Sequence, residues 1–532
     1  MSQMISTFIL VLVAVISIFL SQAFPRISVS YISLVGGAII YLIPALGHHV
    51  AAFNSDIFIG MVVAPLLFFE GQATRLNAVG REFHHILQTT VVLVILCLIL
   101  AGFGVWAAAG VSLPLAFILA AISTPTDATA MESVTNGLRS PQKEGVFLKM
   151  ESLFNDASGI ILLNMAALWY VNGYINYQET IVDFLISAVG GALLGFVVAW
   201  ALTLFRQLLM RTSYNPLNAQ ILLYVITPFV LYYASEAIRV SGIIAVVCAG
   251  LVSNAEAQRS RLLNSRQIHL GLDLEDMITE IFNSIVFVVL GFMFLKIIAD
   301  DRMTTASLNW LVIGVLLYVI NVVVRYAFGR LRLHFSNRSG WIFALGGVHG
   351  AVTLALAYTL ADMPVQHGDF NLVLMAESTL IILSLLVPTV VFRFLLPKDV
   401  TNRDAAHELD QVRTTMVHQA IEMVQKMYLP PNVKASVIFD LQSQKQKTRV
   451  RDFTKAWLEV VRHPDFTGAE KELEMRAFIT AFAQERQYLD MISQSEVKYQ
   501  DFVFQLYNEV LLAESLVIGP AIDRHEEDPN DI

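Results

Sequence analysis

An all-α, polytopic membrane protein with a soluble helical tail is the fold class this 532-residue sequence predicts. Three observations point to it. The first is composition: 56% of residues are hydrophobic and 15% charged, with a mean hydropathy of +0.61, far from soluble globular usage. The second is that apolar runs of spanning length recur with short interruptions from Met4 to about Leu396. The third is the change after Pro397, where charges become frequent; this divides a membrane domain, residues 1–397, from a cytoplasmic helical domain, residues 398–532.

Taken in order, the runs number about thirteen: 4–23, 28–47, 55–71, 85–110, 113–135, 146–171, 180–205, 216–235, 240–254, 277–298, 306–329, 340–361 and 371–396. The first is as long as a spanning helix and has no Lys or Arg before it, so it reads as a mature span rather than a signal peptide. Basic residues test the count. Arg26, then Arg75 and Arg81, Arg139 and Lys143, Arg206 and Arg211, Arg259, Arg261 and Arg266, and Arg330, Arg332 and Arg338 fall in alternate loops. The other loops hold only Arg239, Lys296 and Arg302, diluted by Glu236, Asp300 and Asp301. An odd number of spans then puts the amino terminus outside the cell membrane and the carboxyl terminus in the cytoplasm.

Two runs are interrupted at membrane depth. Segment five carries Ser123-Thr124-Pro125-Thr126-Asp127 and segment twelve carries Gly346-Gly347-Val348-His349-Gly350. Both stretches break helical hydrogen bonding. They stand seven segments apart, and an odd offset gives two halves of opposite orientation. That is the inverted-repeat layout, in which two broken helices cross near the midplane and form an ion site.

The chemistry concentrates in segment six, at Glu151-Ser152-Leu153-Phe154-Asn155-Asp156. Each charge at that depth costs roughly 2.5–3.5 kcal/mol on insertion scales, so the acids need a function or a partner. Helical spacing puts Ser152 and Asp156 on one face, offering oxygens to a cation. Glu151 and Asn155 form a second pair about 100° round the helix, placed to hold neighbours. Asp127 and Thr126 follow Pro125, where freed carbonyls and a carboxylate suit a dehydrated cation. Glu70, in FFEGQATRLN, either faces that ion or snorkels at the mouth of the path beside Arg75. Arg325, in NVVVRYAF, is set well inside an apolar span and either pairs with Glu151 or caps segment eleven. Asn283 and Glu280 are minor entrance candidates, and Asp183 reads as an interface residue. His84 and His85 lack the partners a metal site needs.

ESLFNDASGIILLN resembles a membrane helix of the monovalent cation/proton antiporters, the NhaP-type proteins of prokaryotes and the sodium/proton exchangers of animals, in the branch with an Asn-Asp pair. Phe-Glu-Gly at Glu70, Thr126-Asp127, the segment-eleven arginine and the Gly-Gly-Val-x-Gly break follow in the family's order. The resemblance covers residues 5–395. It implies a cation/proton site at Asp156, Asp127, Ser152, Thr126 and Glu70, supported by Asn155 and by a buried Glu151–Arg325 ion pair. It also implies the NhaA-like fold and a homodimer against which an ion-binding bundle moves.

Two departures stand out. The family proline directly follows the acid, whereas here Pro125 precedes Asp127, which shifts the unwinding. His349 occupies the place of the family arginine and acts either as a neutral hydrogen-bonding spacer or as a titrating group in pH control.

The expected function is therefore secondary antiport, without a cofactor and not enzymatic. A monovalent cation, sodium first with potassium or lithium as alternatives, exchanges for a proton by competition for Asp156. With Asn155 in place of a second acid, one-for-one electroneutral exchange is the simpler expectation. A cation channel gated by the tail is the alternative, although repeated Thr-x-Gly filter loops are absent. An intramembrane aspartyl protease would use Asp127 and Asp156, but the Gly-x-Gly-Asp stretch is missing. The net charge of −9 argues against nucleic acid, and the partners expected are the cation, the proton, the bilayer and a second copy.

Cys97 and Cys248 read as packing residues. In the tail, helical patterns run over 404–427, 451–462, 468–494 and 498–515 around a Pro430-Pro431 break, for regulation or dimer contact. Lys445 to Arg451 could touch anionic headgroups, though a solvated face is the simpler reading, and an acidic tail begins at His525.

Overall fold

The computed structural model describes residues 2–24, 27–47, 54–74, 84–139, 142–174, 177–210, 217–260, 265–299, 308–397, 401–444, 466–495 and 500–522. All described elements are helical, in two compact units, Met1–Lys398 and Asp399–Ile532. Arg26, Arg75, Arg81, Arg211, Arg261 and Arg302 of the charge alternation lie outside the described residues, as do Lys445 to Arg451, the 451–462 helical pattern and the acidic tail.

The first unit opens with α1 (Ser2–Ala23) and α2 (Val29–Leu42). Next come α3 (Ala64–Ala73) and α4 (Val94–Ala109), each entered through a π-helical stretch, Ile59–Val63 and Gln88–Leu93. The half-helices α5 (Leu113–Ile122) and α6 (Ala128–Val134) flank the first break. Long helices follow: α7 (Gln142–Asn172), α8 (Tyr177–Met210), α9 (Leu217–Ala237), α10 (Gly242–Ser260), α11 (Ser265–Ala299) and α12 (Asn309–Leu331). The second break lies between α13 (Asn337–Leu345) and α14 (Ala351–Thr359), and α15 (His367–Leu395) closes the unit.

Helices fall at all thirteen predicted segments, with three differences. α2 stops at Leu42 because Pro44 lacks the N–H to continue it, and a separate turn, Pro44–Gly47, follows. α10 continues through charged residues to Ser260. α11 begins at Ser265, twelve residues before the apolar run, because hydropathy marks the buried length of a helix and not its polar first turns. Among the described residues seven helices are long and apolar enough to cross a bilayer, α1, α4 together with its π-helical entry, α12 and α15 among them.

Packing sorts the helices into two groups. α11 lies on α1 and α2, while α10 lies on α3 and α8. Glycines set these contacts by letting backbones touch. A Cβ on Gly37 would sit 1.9 Å from the Val288 carbonyl oxygen, and one on Gly291 would sit 1.9 Å from that of Leu34. In the other group, α4, α5, α7, α12, α14 and α15 share an apolar cluster that includes Ile118, Leu119, Leu163, Leu317, Leu356 and Leu380. The outward faces of α1 and α8 are apolar and exposed, Phe8, Phe19, Phe196 and Trp200 among them, as a lipid solvent requires.

The second unit contains α16 (Thr401–Lys426), α17 (Pro431–Ser443), α18 (Gly468–Ser495) and α19 (Gln500–Ile522) around Val417, Val424, Leu441, Phe482 and Leu506. α17 corrects the reading of Pro430-Pro431 as a simple break. Pro431 occupies the first helical position, where its missing N–H costs nothing, so the dipeptide starts a helix.

Candidate functional site

The site is built where the two breaks meet. α5 ends at Ile122, and Asp127 then caps α6, its Oδ1 accepting from Thr129 N (2.9 Å), Ala130 N (3.0 Å) and Thr129 Oγ1 (2.7 Å). Across the crossing, Asp127 N donates to the Val348 carbonyl at 2.7 Å. Gly350 is obligatory here, because a Cβ would stand 2.0 Å from Asp127 Oδ2.

His349 is buried at this junction. Its Nδ1 lies 2.7 Å from the Pro125 carbonyl, which can only accept, so Nδ1 carries the proton. Its backbone N–H donates to Ser384 Oγ at 3.0 Å. Pro125 in turn rests on Gly159 of α7, where a Cβ would meet the ring at 2.4 Å.

α7 presents the polar pairs as its spacing requires. Asn155 latches the break: its Nδ2 donates to Thr126 Oγ1 at 2.8 Å and its Oδ1 accepts from Thr126 N at 3.4 Å. Thr126 Oγ1 is also 3.1 Å from Ser152 Oγ. Glu151 and Arg325 form a buried ion pair, with Nη2 donating to Oε2 at 3.0 Å; the same nitrogen donates to the Phe343 carbonyl at 3.2 Å, and the guanidinium lies 4.7 Å from the Phe343 ring centre. The alternative of Arg325 as a capping residue is thereby set aside, since the side chain is 4% exposed.

Asp156 differs from its neighbours. It is 2% exposed, and its Oδ1 has no hydrogen-bond partner among the described residues. It lines a cavity of about 30 Å³ together with Glu70, Thr126, Asp127, Thr129, Ser152 and Asn283. That room exceeds the roughly 10–15 Å³ one water needs. One wall belongs to the crossing and α7, while the other, with Glu70 and Asn283, belongs to α3 and α11. Among the described residues no three His, Cys, Asp or Glu side chains converge as at a resident metal centre, so these oxygens are spread around the wall. Hard oxygen donors round a small gap suit a partly dehydrated monovalent cation as cargo.

Sequence reasoning missed several groups. Asn283 was read as a weak entrance residue and lines the cavity itself. Thr129, one turn past Asp127, was not singled out. Nor was Glu377, a carboxyl deep in the apolar run of α15, fully buried and with neither oxygen partnered among the described residues. An acid centred in a spanning run was the available signal. His84 lies 2.6 Å from Gln88 Nε2 and apart from the site. The side chain of Asp183 is outside the described residues.

Crossed helix breaks around an orphaned carboxylate, inside a chain of repeated apolar helices, define a secondary transporter of small cations, a multi-pass membrane protein. Residues 8–398 match the family described as sodium/hydrogen exchanger, transmembrane, and the chain belongs to that family. It is a monovalent cation/proton antiporter. It is similar to the sodium, potassium, lithium and rubidium/H(+) antiporter of Bacillus subtilis (strain 168), at 28% identity over 474 residues, 84% of this chain and 70% of that protein. The corresponding Bacillus pumilus (strain SAFR-032) antiporter is 30% identical over 71% of this chain, which spans 60% of its length. The uncharacterized Na(+)/H(+) exchanger YjcE of Escherichia coli (strain K12) is 30% identical over 72% of this chain and 75% of its own. The fold is that of the sodium proton antiporter MjNhaP1 from Methanocaldococcus jannaschii, with a TM-score of 0.59 at 18% identity, covering 74% of this chain and 98% of that one.

Proposed function

We propose that antiport runs by competition at Asp156, which holds either a cation or a proton and never both. The carrying observation is the partnerless Asp156 Oδ1, turned to a cavity that also gathers Ser152, Thr126, Asp127 and Glu70. When the cation binds, the carboxylate must release its proton, so binding and release are one event. Asn155 and the Glu151–Arg325 pair support the site without binding cargo. With a single exchanging carboxylate the cycle is one cation for one proton, hence electroneutral. Sodium is the first substrate to test, with potassium and lithium next, in line with the ions named for the Bacillus subtilis relative.

On this reading the thirteen helical segments each cross the bilayer in two inverted halves, with the amino terminus outside and the second unit in the cytoplasm. His349 is the neutral spacer, a role its Nδ1–H bond to Pro125 supports. The protein works as a homodimer in which the group containing α5, α7 and α14 moves against the group containing α2 and α11. Cation-dependent pH change in everted vesicles tests the core of the proposal. Asp156→Asn must abolish it, and exchange at the parent rate would overturn the reading.

A further inference from the structure

Among the described residues of the first unit, Glu377 in α15 is the one carboxyl outside the site that is fully buried with neither oxygen hydrogen-bonded. Leaving a buried polar group unpaired is costly, and more so if it is charged. A structural role would come with a partner.

Among the described residues, the elements packed against α15 bring none. α5 contains no ionisable residue and α14 only Tyr358. α12 offers Tyr318, whose hydroxyl is also unpartnered, with Tyr326 and Arg330 nearer its end and Arg325 committed to Glu151. Arg338 of α13 donates to the Leu395 carbonyl, Tyr31 of α2 is bonded to Thr389, Glu132 is the acid of α6, and the described side chains of α11 include Glu275, Asp276, Glu280 and Lys296. None of these reaches either Glu377 oxygen.

Its position along α15 supplies the meaning. Ser384, seven residues on, accepts from the His349 N–H at the crossing. Seven residues are two turns, so the two side chains share a face about 10 Å apart. In the other direction Asp369, eight residues back, accepts from the Tyr170 hydroxyl at 2.6 Å near the start of α15. α5 runs from residues 110–112 to the crossing and α14 from the crossing to residues 360–366, and Val111, Met363 and Val365 pack on one cluster, which supports placing both connections at one membrane face. Glu377 therefore stands about midway between that face and the crossing, enclosed by Val373, Leu374 and Leu380.

We propose that Glu377 is a second proton-binding residue of the exchange reaction, a relay that passes protons between the crossing and the membrane face carrying residues 110–112 and 360–366. It rests on the reading that exchange is centred on Asp156. When the site is open to that face, the Glu377 acid gives its proton through water to the Asp156 carboxylate and regains one from water at the surface. Glu377 ends as it began, and one proton moves per cation, so the one-for-one cycle is preserved. In the described arrangement Glu377 is fully buried, and the apolar enclosure accommodates the neutral acid.

Two transport modes in proteoliposomes separate the outcomes. Sodium–proton exchange needs a proton path, whereas exchange of labelled for unlabelled sodium needs only the cation site. Glu377→Gln is expected to slow sodium–proton exchange at least tenfold and leave sodium–sodium exchange within twofold, with Glu377→Asp recovering part of the proton-coupled rate. The intact sodium–sodium mode shows that the variant is folded. Sodium–proton exchange at the parent rate, or a parallel loss of both modes, would overturn the relay. Asp156→Asn must abolish both modes; if it does not, the Asp156 reading fails instead, whatever Glu377→Gln does.

Discussion

Replacing Arg325 with methionine removes the guanidinium but keeps an apolar stem of similar length, leaving Glu151, 1% exposed, with no counter-charge. Three interactions are lost together: the bidentate pair with Glu151, the bond to the Phe343 carbonyl at 3.2 Å and the contact with the Phe343 ring. Stranding one member of a buried pair costs about 3–5 kcal/mol, far more than the ring contact at about 0.5–2 kcal/mol. At roughly 2–4 °C per kcal/mol for a large domain, thermal melting in detergent should fall by on the order of 10 °C.

The double variant Glu151→Leu with Arg325→Met removes both charges, and a buried pair exchanged for apolar residues is often neutral. It should therefore regain most of the loss, giving strong coupling in a double-mutant cycle. Arg325→Lys should not rescue, because an ammonium cannot make the forked contact. A single Arg325→Met variant melting within about 2 °C of the parent, on the same scale, would refute the assignment of the pair as a main support of the crossing.

Three other outcomes are expected. Gly350→Ala places a methyl against Asp127 Oδ2, and Asp127 cannot yield freely because its other oxygen caps α6, so transport should drop on the order of tenfold or more in vesicle assays at unchanged expression. His349→Gln keeps a donor for the Pro125 carbonyl, so the pH profile should keep its shape, and a profile displaced by a full pH unit would return His349 to the sensor role. In the second unit, burial pushes the Glu485 carboxyl up from 4.5 to about 7. Between those values the folded state binds the extra proton. Stability is therefore full below about 4.5 and declines by about 3 kcal/mol as pH rises to about 7. Hydrogen exchange in α18 of the intact chain should follow that slope, and Glu485→Gln should flatten it.

Periodic apolarity made the helices legible, because each spanning helix must satisfy its backbone internally and shed its polar groups. The same property hid the polar ends. Ser265 to Asp273 of α11 read as loop because charged residues carry no hydropathy signal even when their backbone stays helical. The π-helical stretches at Ile59–Val63 and Gln88–Leu93 were invisible for another reason: an added residue per turn changes hydrogen bonding without changing composition. At the site, spacing alone separated Asp156, which meets the cavity, from Glu151, which meets Arg325, whereas Ser152 and Asn155, set on different faces, both reach Thr126 Oγ1. Asn283 was not legible as a cavity residue, since its place depends on how α11 packs across from α7, a distance no local pattern encodes.

The bond from Asp127 N to the Val348 oxygen joins the two interruptions through main chain alone. Side-chain replacement leaves such a joint untouched, proline at 127 excepted. That joint is thus written in peptide groups, and neighbouring side chains that do not themselves hold the break can be retuned for different cargo or acidity. An imidazole can stand at 349 for this reason: the scaffold there hangs on amides, and the ring has only to cover one exposed carbonyl.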